Sequence, residues 1–427
     1  MSIIGILFVL IGLATFAVIA TQLSLSFTTS LRQYVTEREQ RNLGLVLLKN
    51  KIEAMKALYL DLKETKENTW TGFRKFKVKT KKEGKDVTSA YLYPHDGKKL
   101  TPIEPGQYLT FQLRVPGEEK PIIRCYSLSD SPNSDYYRVS VKKVPPPRDK
   151  PELPPGKSST YFNEVLKDDD ILDVKIPSGP FYLEPREQFP IVLIGGGIGI
   201  TPVFSMLQTL VDVNNAEREI WFFYGVRNGK EIVYKDAIQD IAKKNANINV
   251  RVCFSDPDPT DKEGVDYQHA ARVSVDLFKK VLPSNNYDYF ICGPPPMMQT
   301  LVPDLETWGV PEKKIHFEAF GPATVKKKPK VEAVPAAGAA AAPEIKVKFS
   351  QSKKEFVWNS KFESLLECGE ESGISMSSGC RIGNCGTCMV AVKDGTFEYT
   401  KEPSAKADAG TCLACVSVPK SNIEIDA

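Results

Sequence analysis

Histidine is scarce in this chain, with three in 427 residues, at His95, His269 and His316. They share no metal-ligand spacing, which argues against a histidine metal centre, and each reads as structural. Net charge is also slight, 56 Lys and Arg against 53 Asp and Glu. That scattered excess is ordinary solvated surface and offers no nucleic-acid footprint. No charged residue precedes Arg32, so the basic flank that opens a secretory signal peptide is missing. A cleaved leader ending at Val18-Ile19-Ala20 is the competing reading. A disulfide framework is disfavoured as well. Cys125, Cys253, Cys292, Cys368 and Cys412 are scattered and odd in number, the usage of a reducing compartment.

The other four cysteines carry the strongest signal. Cys380, Cys385 and Cys388 are spaced C-x4-C-x2-C, and Cys415 follows downstream. This is the plant-type spacing for a 2Fe–2S cluster. Gly383 and Gly386 leave room where backbone amides face the sulfurs. Zinc is the competing metal, but this stretch carries one C-x2-C step where zinc sites usually pair two. Cys412 and Cys415 compete as fourth ligand. On a strand, their odd offset would turn them to opposite faces, leaving Cys412 as a packed apolar residue. The segment resembles plant-type and oxygenase-reductase ferredoxin domains, through Cys-Val-Ser-Val-Pro at 415–419 as well. That resemblance implies Cys415 as the fourth ligand.

Taken in order, Ile3 to about Leu25 is apolar, enough at about 1.5 Å per residue to cross a ~30 Å hydrocarbon core. Arg32, Arg38 and Arg41 follow, which favours a cytoplasmic location for what comes after. Residues 29–68 read as a helical stalk, with Leu45, Leu48, Ile52, Met55 and Tyr59 on one face. Gly44 marks a place for a break. From Gly72 to about Glu187 the pattern turns to short alternating strands, including Arg74–Lys79, Val87–Tyr93, Tyr108–Val115 and Tyr137–Lys143, an antiparallel barrel.

Within the barrel, Arg124-Cys125-Tyr126-Ser127 suits a flavin: a guanidinium for phosphate, an aromatic to stack and a hydroxyl for the N5 edge. Gly156, Ser159 and Thr160 offer amides and hydroxyls to a pyrophosphate at a helix start. Pro190–Ile194 then reads as a buried parallel strand. Gly195-Gly196-Gly197-Ile198-Gly199-Ile200-Thr201-Pro202 follows, a strand–glycine turn–helix suited to a dinucleotide. Further strands are expected at Glu219–Tyr224, Asn249–Phe254 and Tyr287–Cys292. Residues 324–343 are rich in Lys, Ala and Pro, a spacer with an r.m.s. span of roughly 25 Å. Beyond it, Ile345–Phe349, Lys354–Trp358 and a helix at Leu365–Glu371 fit a β-grasp fold.

Arg-x-Tyr-Ser, Gly-Gly-x-Gly-Ile-x-Pro and Cys292-Gly293-Pro294-Pro295-Pro296, in that order, resemble the ferredoxin–NADP reductase superfamily over about 72–322. Ile198 departs from the Thr usual there. The resemblance implies flavin contacts from Arg124, Tyr126 and Ser127. It implies that Gly196, Gly197, Thr201 and Gly293 bind the nicotinamide coenzyme, with Cys292 near its reactive carbon. Phe317-Glu318-Ala319-Phe320-Gly321 matches the family's terminal segment, with Glu318 and Phe320 close to the flavin ring. Ser127, Cys292 and Glu318 are the catalytic candidates. FAD is favoured over FMN, and NADH over NADPH, although Arg227 stands where a 2′-phosphate could be met.

The expected fold is multidomain: a transmembrane anchor (1–28), a helical stalk (29–68), a flavin-binding antiparallel β-barrel (69–187), a parallel-sheet α/β NAD(P) domain (188–322), a linker (323–343) and a β-grasp ferredoxin domain (344–427). A hydride carries two electrons and a cluster near about −400 mV takes one, so a flavin must stand between them. The expected function is a membrane-anchored NAD(P)H-dependent reductase, single-pass with cytoplasmic catalytic domains. It would serve a membrane-associated oxygenase, hydroxylase or desaturase. The alternative is a quinone-linked respiratory NADH dehydrogenase flavoprotein, whose known sodium-pumping relatives carry the ferredoxin ahead of the flavin domain.

Overall fold

The computed structural model describes residues 3–146, 150–213, 218–320, 344–359, 361–374, 376–383, 385–403 and 405–427. The expected linker, 323–343, lies outside the described residues. Helix α1 (Ile3–Asn68) is unbroken over 66 residues, about 100 Å at 1.5 Å per residue. It runs through Gly44, where the expected break is absent. One glycine costs about 1 kcal/mol, which its Leu, Ala, Lys and Glu neighbours offset. The helix falls in a unit of its own, Met1–Glu67. Its large apolar side chains between Leu10 and Tyr59 are exposed, and by length and composition it can cross a membrane.

The second unit, Asn68–Ala427, holds three sheet-based parts in succession along the chain, with four hydrophobic clusters: one in the barrel, one on each face of the parallel sheet and one in the C-terminal part. First come β1 (Arg74–Gly84), β2 (Val87–Pro94), β3 (Tyr108–Leu113), β4 (Ile122–Ser127), β5 (Tyr137–Lys142), the short helix α2 (Lys157–Thr160) and β6 (Ile171–Val174). The six strands order as β4-β3-β6-β1-β2-β5, and every ladder is antiparallel. An isolated bridge from Leu128 to Val139 joins the two edges and closes the barrel. Alternation does the sorting: Phe76 and Val78 of β1 point inward, while Lys75, Lys77 and Lys79 point outward to Asp173, Asp169 and Asp168. The sequence missed β6, which is four residues long.

Next come β7 (Ile191–Gly196), α3 (Ile200–Asp212), β8 (Ile220–Val226), α4 (Lys235–Lys244), β9 (Ile248–Phe254), α5 (Val275–Val281), β10 (Asp288–Gly293), α6 (Pro295–Thr307) and β11 (Ile315–Ala319). The sheet is parallel, ordered β11-β10-β7-β8-β9. Period two divides its side chains. Ile191, Leu193, Phe222 and Tyr224 pack with α3 and α4, and Val192, Ile194, Trp221 and Phe223 with α5 and α6. Strand order reverses between β7 and β10, the crevice where such sheets bind dinucleotides.

The third part contains β12 (Lys346–Phe349), β13 (Lys354–Val357), α7 (Leu365–Glu371), β14 (Met389–Asp394), β15 (Phe397–Tyr399), β16 (Thr411–Leu413), β17 (Ser417–Pro419) and β18 (Ile423–Ile425). Its main sheet orders as β13-β12-β18-β14-β16, with β12 and β18 parallel. Leu365, Leu366 and Cys368 of α7 pack into its core together with Cys388, Cys412 and Cys415.

A buried charge locks the barrel to the α/β domain. Arg138 of β5 is 8% exposed. Its Nη1 lies 3.4 Å from Asp130 Oδ2, and it donates to Ser129 Oγ at 3.1 Å and to Gln208 Oε1 of α3 at 3.1 Å. Its guanidinium sits 5.1 Å from the Tyr234 ring centroid, and Ser205 Oγ of α3 donates to Asp130 O at 2.6 Å. Arg138→Met would leave the buried Asp130 carboxylate without its counter-charge, with only the Tyr136 hydroxyl and Ser131 amide as partners, at a cost of about 3 kcal/mol. Denaturation followed by fluorescence should show the lower midpoint; an unchanged midpoint would contradict this role.

Candidate functional site

The barrel, the parallel-sheet part and the C-terminal part meet at a cleft of about 390 Å³. One wall is strand β4, whose Arg124, Cys125, Tyr126 and Ser127 all line it, with Tyr108 beside them from β3. The segment Gly156–Ser159 forms its floor. Ile198 and Thr201 of the glycine turn, with Glu318 and Phe320 after it, form a second wall. Gly379, Cys380 and Ile382 of the cysteine loop form a third.

Each side chain is held by identifiable partners. The Tyr126 ring packs edge-on against Phe111 and Phe162, with centroids 5.8 and 5.0 Å away. Arg124 is exposed and donates from Nη1 to Ile123 O at 2.7 Å. Ser127 Oγ donates to Glu318 Oε2 at 3.3 Å, across the barrel–α/β boundary. Burial pushes the Glu318 carboxyl up to about 7, against the lowering effect of that hydrogen bond. Ser159 Oγ accepts from Val144 N at 3.0 Å and donates to Gly156 O at 2.9 Å, so it shapes the turn. Thr160 Oγ1 is sealed from solvent with no protein partner. A flavin fits this cleft: an aromatic wall, the guanidinium at its edge and the buried hydroxyl side chains of Ser158 and Ser159 all line it.

The glycine turn lies at the C-terminal edge of the parallel sheet. Gly196 ends β7, Gly197 opens a 3-10 turn and Gly199 precedes α3. A Cβ on Gly199 would stand 2.4 Å from Cys292 O, so only glycine lets the turn sit on the β10 edge. Thr201 Oγ1 donates to Ile198 O at 3.1 Å. Gly293 ends β10. Cys292 is fully buried in the core, in register with Glu318, and its thiol is pushed up by burial and then by that carboxylate. The structure therefore does not open Cys292 to the cleft. Arg227 is also outside it, beyond β8, 3.8 Å from Glu231.

The cluster cysteines fall into two pairs. Cys380 N donates to Cys385 Sγ and Cys385 N to Cys380 Sγ, both at 3.2 Å. Cys388 Sγ and Cys415 Sγ are 3.1 Å apart. Two thiolates per iron is what a four-cysteine 2Fe–2S cluster requires, so the donor set fits. Among the described residues, no three His, Cys, Asp or Glu side chains gather around one mononuclear point. Gly383 and Gly386 take φ of 79° and 70°, as the turning amides demand. Cys412 and Cys415 do form a second C-x2-C step, yet Cys412 pairs with Val390 inside a ladder and is fully buried. Cys415 lies in the 3-10 turn Ala414–Val416, which corrects the period-two argument for separating them. The turn after β16 does the separating.

Sequence reasoning missed Cys125 as a cross-domain contact. It lines the cleft with Cys380, and its thiol, ahead of Cys380, draws the Cys385 thiol well below the usual range. Lys175 Nζ adds a 3.4 Å contact to Cys385 O. No local pattern marks a partner so distant in sequence. Ser158, buried and lining the cleft, is a further residue that the local pattern did not single out.

Residues 193–302 match the family of oxidoreductase NAD-binding domains, and residues 348–420 the 2Fe-2S iron-sulfur cluster binding domain. A flavohemoprotein from Halalkalibacterium halodurans is 37% identical over 255 residues, 60% of this chain and 61% of the relative. The chain thus spans about three fifths of the curated relatives it matches. The flavohem-like FAD/NAD binding domain of nitric oxide dioxygenase from Vibrio cholerae is 31% identical, with a TM-score of 0.52, covering 59% of this chain and all of that one (100%). The chain belongs to the ferredoxin–NADP reductase superfamily. It is an oxidoreductase, and the expected cofactor set of flavin, nicotinamide coenzyme and 2Fe–2S cluster is borne out. Phthalate dioxygenase reductase, described as a modular structure for electron transfer from pyridine nucleotides to [2Fe-2S], is 26% identical with a TM-score of 0.50. The match covers 83% of this chain and 98% of that reductase.

Two outcomes are expected here. Cys412→Ala should keep the visible and EPR spectra of a 2Fe–2S centre and Cys415→Ala should lose or alter them; the reverse would move the fourth ligand. Glu318 binds its proton more tightly folded, near 7, than unfolded, so its contribution to stability falls as pH rises from about 4.5 to 7. Glu318→Gln should therefore gain in Tm relative to the parent as pH goes from 5 to 8. A pH-independent difference would contradict the buried carboxyl.

Proposed function

We propose that this chain is a membrane-anchored, NAD(P)H-dependent electron-transfer reductase. Its acceptor is a membrane-associated oxygenase, hydroxylase or desaturase. The carrying observation is the cleft in which β4 and the cysteine loop are facing walls. When bound, the flavin converts the two electrons of a hydride into the single electrons a 2Fe–2S cluster accepts.

The chain's residues position and insulate that chemistry. Arg124 neutralises flavin phosphate, Tyr126 stacks on the ring, and Ser127 serves its N5 edge. Gly156, Ser159 and Thr160 surround the pyrophosphate. Gly196, Gly197, Thr201 and Gly293 receive the coenzyme over the sheet edge. Phe320 and Ile198 keep water from the cleft, and Glu318 holds a proton at its carboxyl. Cys380 and Cys385 take one iron, Cys388 and Cys415 the other. The proposed boundaries are those of the expected domains, with residues 1–28 as a single membrane span and the catalytic domains cytoplasmic. The likeness to phthalate dioxygenase reductase over nearly its whole length supports an oxygenase as acceptor. The FAD named for the Vibrio cholerae domain supports FAD over FMN. The exposed apolar surface of α1 supports the anchor.

Deleting residues 1–28 should give protein that leaves the membrane fraction, reduces ferricyanide at an unchanged rate and loses most turnover with its membrane acceptor. Recovery of the intact full-length chain as soluble protein would contradict the anchor.

A further inference from the structure

The loop after β8 bears on which nicotinamide coenzyme is used, and the question rests on the proposed coenzyme site. In sheets of this kind the dinucleotide crosses the strand ends from the switch point, and the residues after the neighbouring strand meet the adenosine ribose. Here that neighbour is β8, and the residues are Arg227-Asn228-Gly229-Lys230-Glu231. Two cations stand there, as a 2′-phosphate would need. Both are already paired. Arg227 Nε lies 3.8 Å from Glu231 Oε1, and Lys230 Nζ lies 3.0 Å from Asp258 Oδ2. Glu231 is itself fixed from the barrel, because Lys142 Nζ donates to its Oε2 at 3.2 Å. A further carboxylate, Asp261, accepts from Gly229 N at 3.2 Å. The rim that would receive a 2′-phosphate thus carries Glu231, Asp258 and Asp261 among its paired cations.

We propose that Glu231, held by Lys142 and clamped on Arg227, is the specificity residue that selects NADH against NADPH. Repulsion of the unwanted phosphate, together with withdrawal of its cation, supplies the discrimination. A ribose with a free 2′-hydroxyl needs neither cation and accepts hydrogen-bonding carboxylates nearby.

The test compares binding of adenosine 2′,5′-bisphosphate and 5′-AMP to the flavin-loaded full chain by calorimetry, with kcat/KM for NADPH and NADH alongside. The parent should bind 5′-AMP more tightly. Glu231→Gln should shift both ratios toward the 2′-phosphate by on the order of tenfold, the effect of one removed charge at a rim. Adding Arg227→Ala to Glu231→Gln should cancel that gain, and Glu231→Asp should stay with the parent. An unchanged ratio in Glu231→Gln, or a gain that survives loss of Arg227, overturns the proposal. Flavin absorbance at parental occupancy shows that each variant has folded. Failure of both coenzymes to reduce the parent's flavin would instead overturn the reductase reading on which this one stands.

Discussion

The contact between β4 and the cysteine loop is the constraint on which the rest depends. Cys125 and Cys380 line one cleft from opposite domains, and Lys175 reaches the Cys385 carbonyl. Single-electron transfer needs cofactors held close together in a site that excludes water, and here one strand carries the flavin-type motif on the same surface that receives the cluster-type loop. The two-pair arrangement of the thiols sets Cys380 and Cys385 on the side facing the barrel. Cys388 and Cys415 lie in the ferredoxin core.

A second constraint fixes the other side of the cleft. Glu318 must meet Ser127 from a different domain, and that meeting relies on the buried Arg138 and Asp130 with their partners Gln208 on α3 and Tyr234 just before α4. A buried ion pair is a poor source of net stability beside an apolar packing. Its value here is geometric: the guanidinium's several donors define one orientation between two domains, where an apolar patch would allow several.

Much of this was legible in the sequence because it was local. Strand alternation in β1, the apolar run of β7 and the cysteine spacing each reflect a period or a reach of a few residues. The expected helix Leu365–Glu371 is the observed one. What was not legible was long-range. The Cys125 contact, the Arg138 node and the burial of Cys292 arise where segments far apart in the chain are brought together, and no spacing rule records that. The fourth-ligand argument failed in its premise, since a 3-10 turn after β16 carries Cys415 away from strand geometry. Helix α1 ran through Gly44 because a single glycine is a weak breaker in a long run of good helix formers.

The most direct measurement is rapid mixing of the full-length chain with NADH, followed together by flavin absorbance and freeze-quench EPR. The account predicts that the flavin bleaches first and that the cluster signal then grows at the flavin's expense. In folded Cys385→Ser the flavin should still bleach while the cluster signal is lost. A cluster reduced by NADH in protein stripped of flavin, or a flavin that bleaches fully while an intact cluster stays oxidised, would contradict it.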